Sequence, residues 1–430
     1  MSYFILMIII FIAGYICIAL EHPLKINKSA TALLLAAIMW AVYSLMGPGF
    51  SHEVLIAHLG DTAEIIFFLM GAMTIVEIID QHDGFRIITD RIETKSKRKL
   101  LWIISILTFF MSAVLDNLTT AIVMCALLRK LIDDKHDRWF FCGMIILAAN
   151  SGGAWSPIGD VTTIMLWIKG NVTAGNIILE TLIPSLVALI VPLVAITYII
   201  KGKVTRPQTN QDSSNKVLVS QKQSRIIFFL GVGALLFVPV FKTITHLPPY
   251  IGVIFGLGLI WTVTELMHKS NKEAYAKLNV STIISRIDIP SILFFLGILM
   301  AVACLQTAGH LDLLSKSLDK IGDVYIINII IGVLSSVIDN VPLVAAAMGM
   351  YPIADVGHFA VDGAFWEFLA YCAGTGGSLL IIGSAAGVAV MGMEKIDFIW
   401  YLKKISIWAL IGYLSGAGVF VLMSKFILHT

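Results

Sequence analysis

Apolar residues along this chain gather in runs of about 20, separated by short polar stretches, the length that carries a helix through roughly 30 Å of hydrocarbon. The runs predict spans near 2–20, 29–47, 62–80, 139–169 and 176–200, then 226–243, 250–267, 289–307, 361–393 and 405–425. The first run is read as a span and not a signal peptide, because no Lys or Arg precedes it and no small-residue cleavage pattern follows before Glu21 and His22. Two further segments, 100–131 and 324–350, carry Asp-Asn pairs. As one straight helix, residues 100–131 would measure about 48 Å, too long for a single crossing. Each segment is therefore expected to be a re-entrant hairpin of two arms of about 15 residues, with Asp116-Asn117 or Asp339-Asn340 at its tip.

Three short patterns recur in order at nearly constant separation. Phe67-Phe68-Leu69 returns as Phe294-Phe295-Leu296, Ser112 to Asn117 (SAVLDN) returns as Ser335 to Asn340 (SSVIDN), and Ser151-Gly152-Gly153 with Gly159 returns as Thr375-Gly376-Gly377 with Gly383. The expected organisation is a first repeat over 1–200, with a hairpin at 100–131 and a broken helix at 139–169. A mobile cytoplasmic linker at 201–224 leads to a second repeat over 225–430, with a hairpin at 324–350 and a broken helix at 361–393. Five crossings separate equivalent points, so the repeats are expected to be inverted and the tips to meet near the midplane.

Charge tests this topology. With both segments as hairpins and the N-terminus outside, 25 of the 30 Lys and Arg residues fall on the cytoplasmic side, in clusters such as Arg86 to Lys99 and Arg129 to Arg138. Only Lys169, Lys242, Lys316, Lys320 and Lys425 stay outside, whereas two full crossings would divide the cations evenly. Composition then narrows the class. The chain is 58% hydrophobic and 13% charged, about half the roughly 25% charged share of a soluble domain. No Walker loop, GxGxxG or HExxH pattern occurs, and Cys17, Cys125, Cys142, Cys304 and Cys372 lie in apolar runs as packing residues. The expected class is an all-α polytopic membrane protein of about ten transmembrane helices and two re-entrant hairpins. It is a transporter or channel, not an enzyme, and needs no cofactor and binds no nucleic acid.

Carboxylates at membrane depth are costly and usually belong to ion or proton pathways. Asp116, Asn117, Asp339 and Asn340 are therefore the leading candidates, although an Asp or Asn also caps the helix that follows it, and the two roles can coexist. Asn150, Ser151 and Thr375 lie beside paired glycines in mid-span. Such segments suit unwound helices whose oxygens coordinate a cation, with close helix packing as the plainer alternative. Pro157, Gly159, Asp160, Thr162 and Thr163 suit the second half of a broken helix, and the matching stretch from Gly383 to Gly387 lacks the acid and both threonines. Two unequal ion sites are expected, with Asp116, Asp160 and Asp339 as the Na+ and proton acids. Ser378 and Ser384 are further oxygen donors, unless each bonds the carbonyl four residues back. Glu64, Glu77, Glu180, Glu367 and the ten histidines, His58, His82, His136 and His358 among them, are expected to be solvated near span ends. No Lys or Arg lies deep in a proposed span, which disfavours an organic anion and favours a small hard cation exchanged against protons.

The motifs SAVLDNLTTAIVM (112–124), NSGGAWSPIGDVTTIMLW (150–167) and SSVIDNVPLVAAAM (335–348) resemble those of NhaD-type sodium/proton antiporters in the ion transporter superfamily. The resemblance implies a bacterial inner-membrane protein, with both termini periplasmic on the charge count, that expels Na+ or Li+ in exchange for H+. It further implies a homodimer with a scaffold and a mobile transport part, moving in an elevator-like manner. By motif it carries the ligand role to Asp116-Asn117, Asp339-Asn340, Asn150, Asp160, Thr162 and Thr163. Related dicarboxylate carriers have Ser-Asn-Thr at the tips, where this chain has Asp-Asn. A symporter or arsenite-type efflux protein of the same superfamily is the alternative reading, and an intramembrane aspartyl hydrolase a more distant one.

Overall fold

A computed structural model describes residues 3–47, 49–89, 92, 94–205, 219–269 and 276–428. Residues 206–218, the middle of the expected linker, lie outside the described residues, and its end is already helical from Gln221, behind a capping box at Ser220 and Gln223. Regular structure among the described residues is helical, and eight helices are long and apolar enough to cross a bilayer. This is the expected all-α polytopic class.

One group of helices comprises α1 (Tyr3–Ala19), α2 (Lys28–Met46), α3 (His52–Gln81), α9 (Gln221–Thr245), α10 (Pro249–His268) and α11 (Ile289–Thr307). Small residues let its axes approach: Gly297 lies on the backbone of Ala32, and Gly71 on Val253. Buried polar atoms are satisfied across the same seams, with Trp40 Nε1 donating to Met300 O at 2.9 Å and Ser29 Oγ to Pro290 O at 2.6 Å.

The second group holds α4 (Lys97–Leu115), α5 (Asn117–Leu131), α6 (Lys135–Ala154), α7 (Val161–Ile168), α8 (Ala174–Ile199), α12 (Val324–Leu334), α13 (Asn340–Met350), α14 (Ala364–Gly376), α15 (Ala385–Glu394) and α16 (Ile407–Met423). Helices α4 and α5 form a hairpin whose two ends meet the same strip of chain. Lys97 N–H donates to Gly202 O at 3.1 Å, and Asp133 N–H to Thr205 O at 2.9 Å. The first arm is longer than expected, 19 residues or about 28 Å. It stops at Asp116, whose φ of +70° reverses the chain, a conformation non-glycine residues rarely adopt. Helices α12 and α13 also return to one end, where Tyr351 Oη donates to Asp319 Oδ1 at 3.0 Å.

Helical structure is interrupted at 155–160 between α6 and α7 and at 377–384 between α14 and α15. The two helix pairs run in opposite directions. The start of α6 is tied to the end of α15 through Arg138 and Glu394 at 3.0 Å, and the end of α7 to the start of α14, where Asp362 N–H donates to Asn171 O at 2.9 Å. Each pair packs on a hairpin arm by contacts that recur about 224 residues later. Ser112 Oγ donates to Ala149 O at 2.6 Å and Ser335 Oγ to Ala373 O at 2.8 Å. Gly152 lies on the backbone of Phe109, and Gly376 on that of Gly332.

Candidate functional site

The two breaks and the two hairpin tips converge on one buried polar network. Asp160, at the N-cap of α7, accepts the Thr162 N–H on Oδ1 at 3.2 Å. Its Oδ2 accepts from Asn117 Nδ2 at 3.0 Å and from Asn340 Nδ2 at 3.3 Å, so both tips reach one carboxylate oxygen. Asn117 Nδ2 also lies 3.1 Å from Asn150 Oδ1, and Asn150 Nδ2 donates to Ser378 Oγ at 3.0 Å and Ser384 Oγ at 2.9 Å. Asp160, Asn117, Asn150, Asn340, Thr162, Thr163, Ser378 and Ser384 are all buried. The Thr162 and Thr163 hydroxyl oxygens are both buried without a hydrogen-bond partner, leaving two oxygens free for another ligand.

Residues expected in two separate places are thus joined in a single hydrogen-bonded network, to which both of the recurring sequence patterns contribute. Ser378 and Ser384 accept from Asn150, and Ser384 Oγ also accepts the Gly387 N–H at the start of α15 at 3.2 Å. Ser151 and Thr375 do bond back, to Leu147 O at 2.7 Å and Tyr371 O at 2.5 Å, and stand aside from the network. The tip aspartates stand beside it, each directly preceding an asparagine of the network. Asp116 caps α5, accepting the Thr119 N–H and hydroxyl, each at 2.8 Å. Asp339 caps α13 through the Val341 N–H at 3.2 Å, and its Oδ2 lies 3.6 Å from Lys28 Nζ, so this acid is not without the cationic partner whose absence the sequence predicted. The network itself has no Lys or Arg among the partners shown for the described residues.

Other side chains differ from expectation because tertiary packing covers them. Glu180 and Glu367 are buried, and Asn176 Nδ2 donates to Oε1 of each, at 3.0 and 3.2 Å. Cys125 and Cys142, expected as packing residues, are buried free thiols with sulfurs 3.4 Å apart. His82 and His268 are buried with Nε2 atoms 2.9 Å apart, while His82 Nδ1 lies 2.7 Å from Ile78 O. Because Nδ1–H is held by that carbonyl, neutral His82 accepts from His268. Burial holds His82, just beyond the end of α3, down at about 4. The folded protein therefore refuses a proton that the unfolded chain takes below about 6.5, and stability from this group is complete above that pH and declines towards 4. The melting temperature of the purified protein is expected to fall over this window, and less steeply in His82→Gln.

A family model described as a citrate transporter matches residues 6–366. Sodium/proton antiporter 1 of Arabidopsis thaliana is 47% identical over 96% of this chain and 72% of its own length. The Na(+)/H(+) antiporter NhaD of Halomonas elongata is 31% identical over 96% of this chain and 87% of its own. The crystal structure of the Alcanivorax borkumensis YdaH transporter shares the fold at 13% identity, with a TM-score of 0.55 over 99% of each chain. The fold and these relationships define a multi-pass membrane transporter and not an enzyme, which removes the hydrolase alternative. Within that class, the chain belongs to the NhaD-type sodium/proton antiporters, as the three motifs led us to expect. Sodium/proton exchange is the transport activity these relationships support.

Proposed function

We propose that the network around Asp160 is where a hard monovalent cation, Na+ or Li+, competes with protons, and that the protein exchanges cytoplasmic Na+ for external H+ by alternating access. The observation that carries this reading is the meeting of both tips on one buried carboxylate. Every side chain of the network offers oxygen, from carboxylate, amide and hydroxyl, which suits a small hard cation. Turning the Asn117 or Asn340 amide end for end replaces a donor to Asp160 with a carbonyl facing a bound ion. The C-terminal ends of α6 and α14 add the negative ends of two helix dipoles. A proton on Asp160 neutralises the same charge, so the two ions exclude each other, and only a neutralised site crosses the low-dielectric interior cheaply.

The recurring contacts 224 residues apart and the opposed broken helices support two inverted repeats with hairpins entering from opposite sides. Clustering of Arg129, Arg138 and Lys97 at one end supports a cytoplasmic face there and periplasmic termini. We assign the α1–α3 and α9–α11 group to a scaffold, which in a homodimer of the bacterial inner membrane carries the other group in an elevator-like movement. The citrate-transporter description of the family model raises an anion reading, against which stands an acid, and no cation, at the centre of the network. The test is dissipation of a pH gradient in proteoliposomes on adding Na+, Li+, K+ or citrate. Na+ and Li+ are expected to act; a response to citrate alone would favour the anion reading. In Thr163→Val, loss of the free hydroxyl is expected to raise the KM for Na+ roughly tenfold with little change in kcat.

A further inference from the structure

The two tip aspartates are capped differently, and the sequence shows why. Thr119 supplies both an N–H and a hydroxyl to Asp116. The residue in the same place after Asp339 is Pro342, which has neither. Among the described residues, Asp339 keeps only the Val341 N–H on Oδ1, and its Oδ2 faces Lys28 Nζ at 3.6 Å. Lys28 is the first residue of α2, where a cation opposes the positive end of the helix dipole, so its own helix does not account for it. Its ammonium lies 4.4 Å from the centre of the Phe294 ring on α11, and the Asp339 N–H donates to Tyr15 Oη on α1 at 3.1 Å. Two helices that supply no residue to the Asp160 network, α1 and α2, thus reach this one acid, and α11 backs the lysine. The side chains of Lys28 and Asp339 are 20% and 16% exposed, so a water-borne ion can reach the pair.

We propose that the Lys28–Asp339 ion pair is a latch that holds the unloaded carrier. The inference rests on reading Asp339 as an acid that the transported Na+ neutralises. One carboxylate cannot balance two monovalent cations, so Na+ at Asp339 releases Lys28 and frees the tip of α13 from α2. With the site empty, the pair re-forms and holds the tip. An exchanger whose unloaded form moved would let Na+ run down without a counter-ion, and the latch opposes that step.

The experiment compares efflux of radiolabelled Na+ from proteoliposomes into Na+-containing medium, which is exchange, with efflux into alkaline Na+-free medium, which needs the unloaded return. Lys28→Met is expected to raise the second rate relative to the first roughly fivefold and to lower the KM for Na+ by a similar factor, the worth of an ion pair of this exposure, while Lys28→Arg keeps both near wild type. An unchanged ratio and KM in Lys28→Met, with Asp339→Asn inactive, would overturn the latch. Wild-type exchange in Asp339→Asn would instead overturn the reading of Asp339 as an ion-binding acid. A second measurement needs no variant: acylation of the Lys28 amine in the wild-type protein, read by mass spectrometry, is expected to quicken roughly fivefold when Na+ replaces choline. An unchanged rate also overturns the latch.

Discussion

Asp160→Asn is expected to abolish Na+-driven and Li+-driven proton exchange, lowering it by roughly two orders of magnitude or more while the protein still folds. Asparagine matches the shape of aspartate and keeps an oxygen for the Thr162 N–H, so the N-cap of α7 survives. What disappears is the single negative charge on which Asn117 and Asn340 converge, and with it both the attraction for Na+ and the proton that competes with it. Pairing this variant with Asp160→Glu separates charge from geometry. Glutamate restores the acid about one methylene too far out and is expected to recover exchange in part, with altered preference between Li+ and Na+. Purified protein in proteoliposomes, assayed by pH-gradient dissipation and checked for folding by its melting curve, gives the answer. Full exchange in Asp160→Asn would remove Asp160 from the mechanism.

The second large effect is expected from Gly376→Ala. A Cβ on residue 376 would fall onto the carbonyl of Gly332, with Gly332 C at 2.7 Å and Cα at 2.9 Å, all backbone atoms of α12 that no rotamer change can withdraw. Helix α14 and the hairpin arm must then separate, which also breaks the Ser335 bond to Ala373 O. The cost is about 3 kcal/mol by analogy with overpacked cores, and it lies at the seam that places Asn340 on Asp160. Gly152→Ala meets the backbone of Phe109 in the same way and is expected to match it, whereas alanine at Gly258, where a Cβ has open space, is expected to be harmless. Yield and melting temperature of the three proteins test this. Equal stability of Gly376→Ala and Gly258→Ala would contradict it.

Much of this was legible in the chain because hydrocarbon imposes one rule on every segment it contains: apolar length and internally bonded backbone. The apolar runs therefore marked the helices closely, and Gly152-Gly153 and Gly376-Gly377 marked the breaks, since each pair serves close backbone packing and an interrupted helix together. Asn117, Asn150, Asp160 and Asn340 were recognisable as polar residues at depth. Partners across the fold were less legible. Spacing cannot show that the Asp160 oxygen is shared by residues 43 and 180 positions away, or that Ser378 and Ser384 both turn to Asn150. The sequence places His82, Glu180 and Glu367 near span ends as solvated groups, yet packing buries His82 against His268 and buries both glutamates around the Asn176 amide.

By itself, the sequence determined the all-α polytopic class, the family, and which few polar groups are placed where water cannot satisfy them. Only the tertiary structure decided that these groups form one network, that Thr119 satisfies Asp116 while Pro342 leaves Asp339 to Lys28, and which acids stand without a cation. The reason is physical. The cost of a span depends on local composition, whereas the environment of a buried charge depends on whichever groups folding brings within a few ångströms of it, from any distance along the chain.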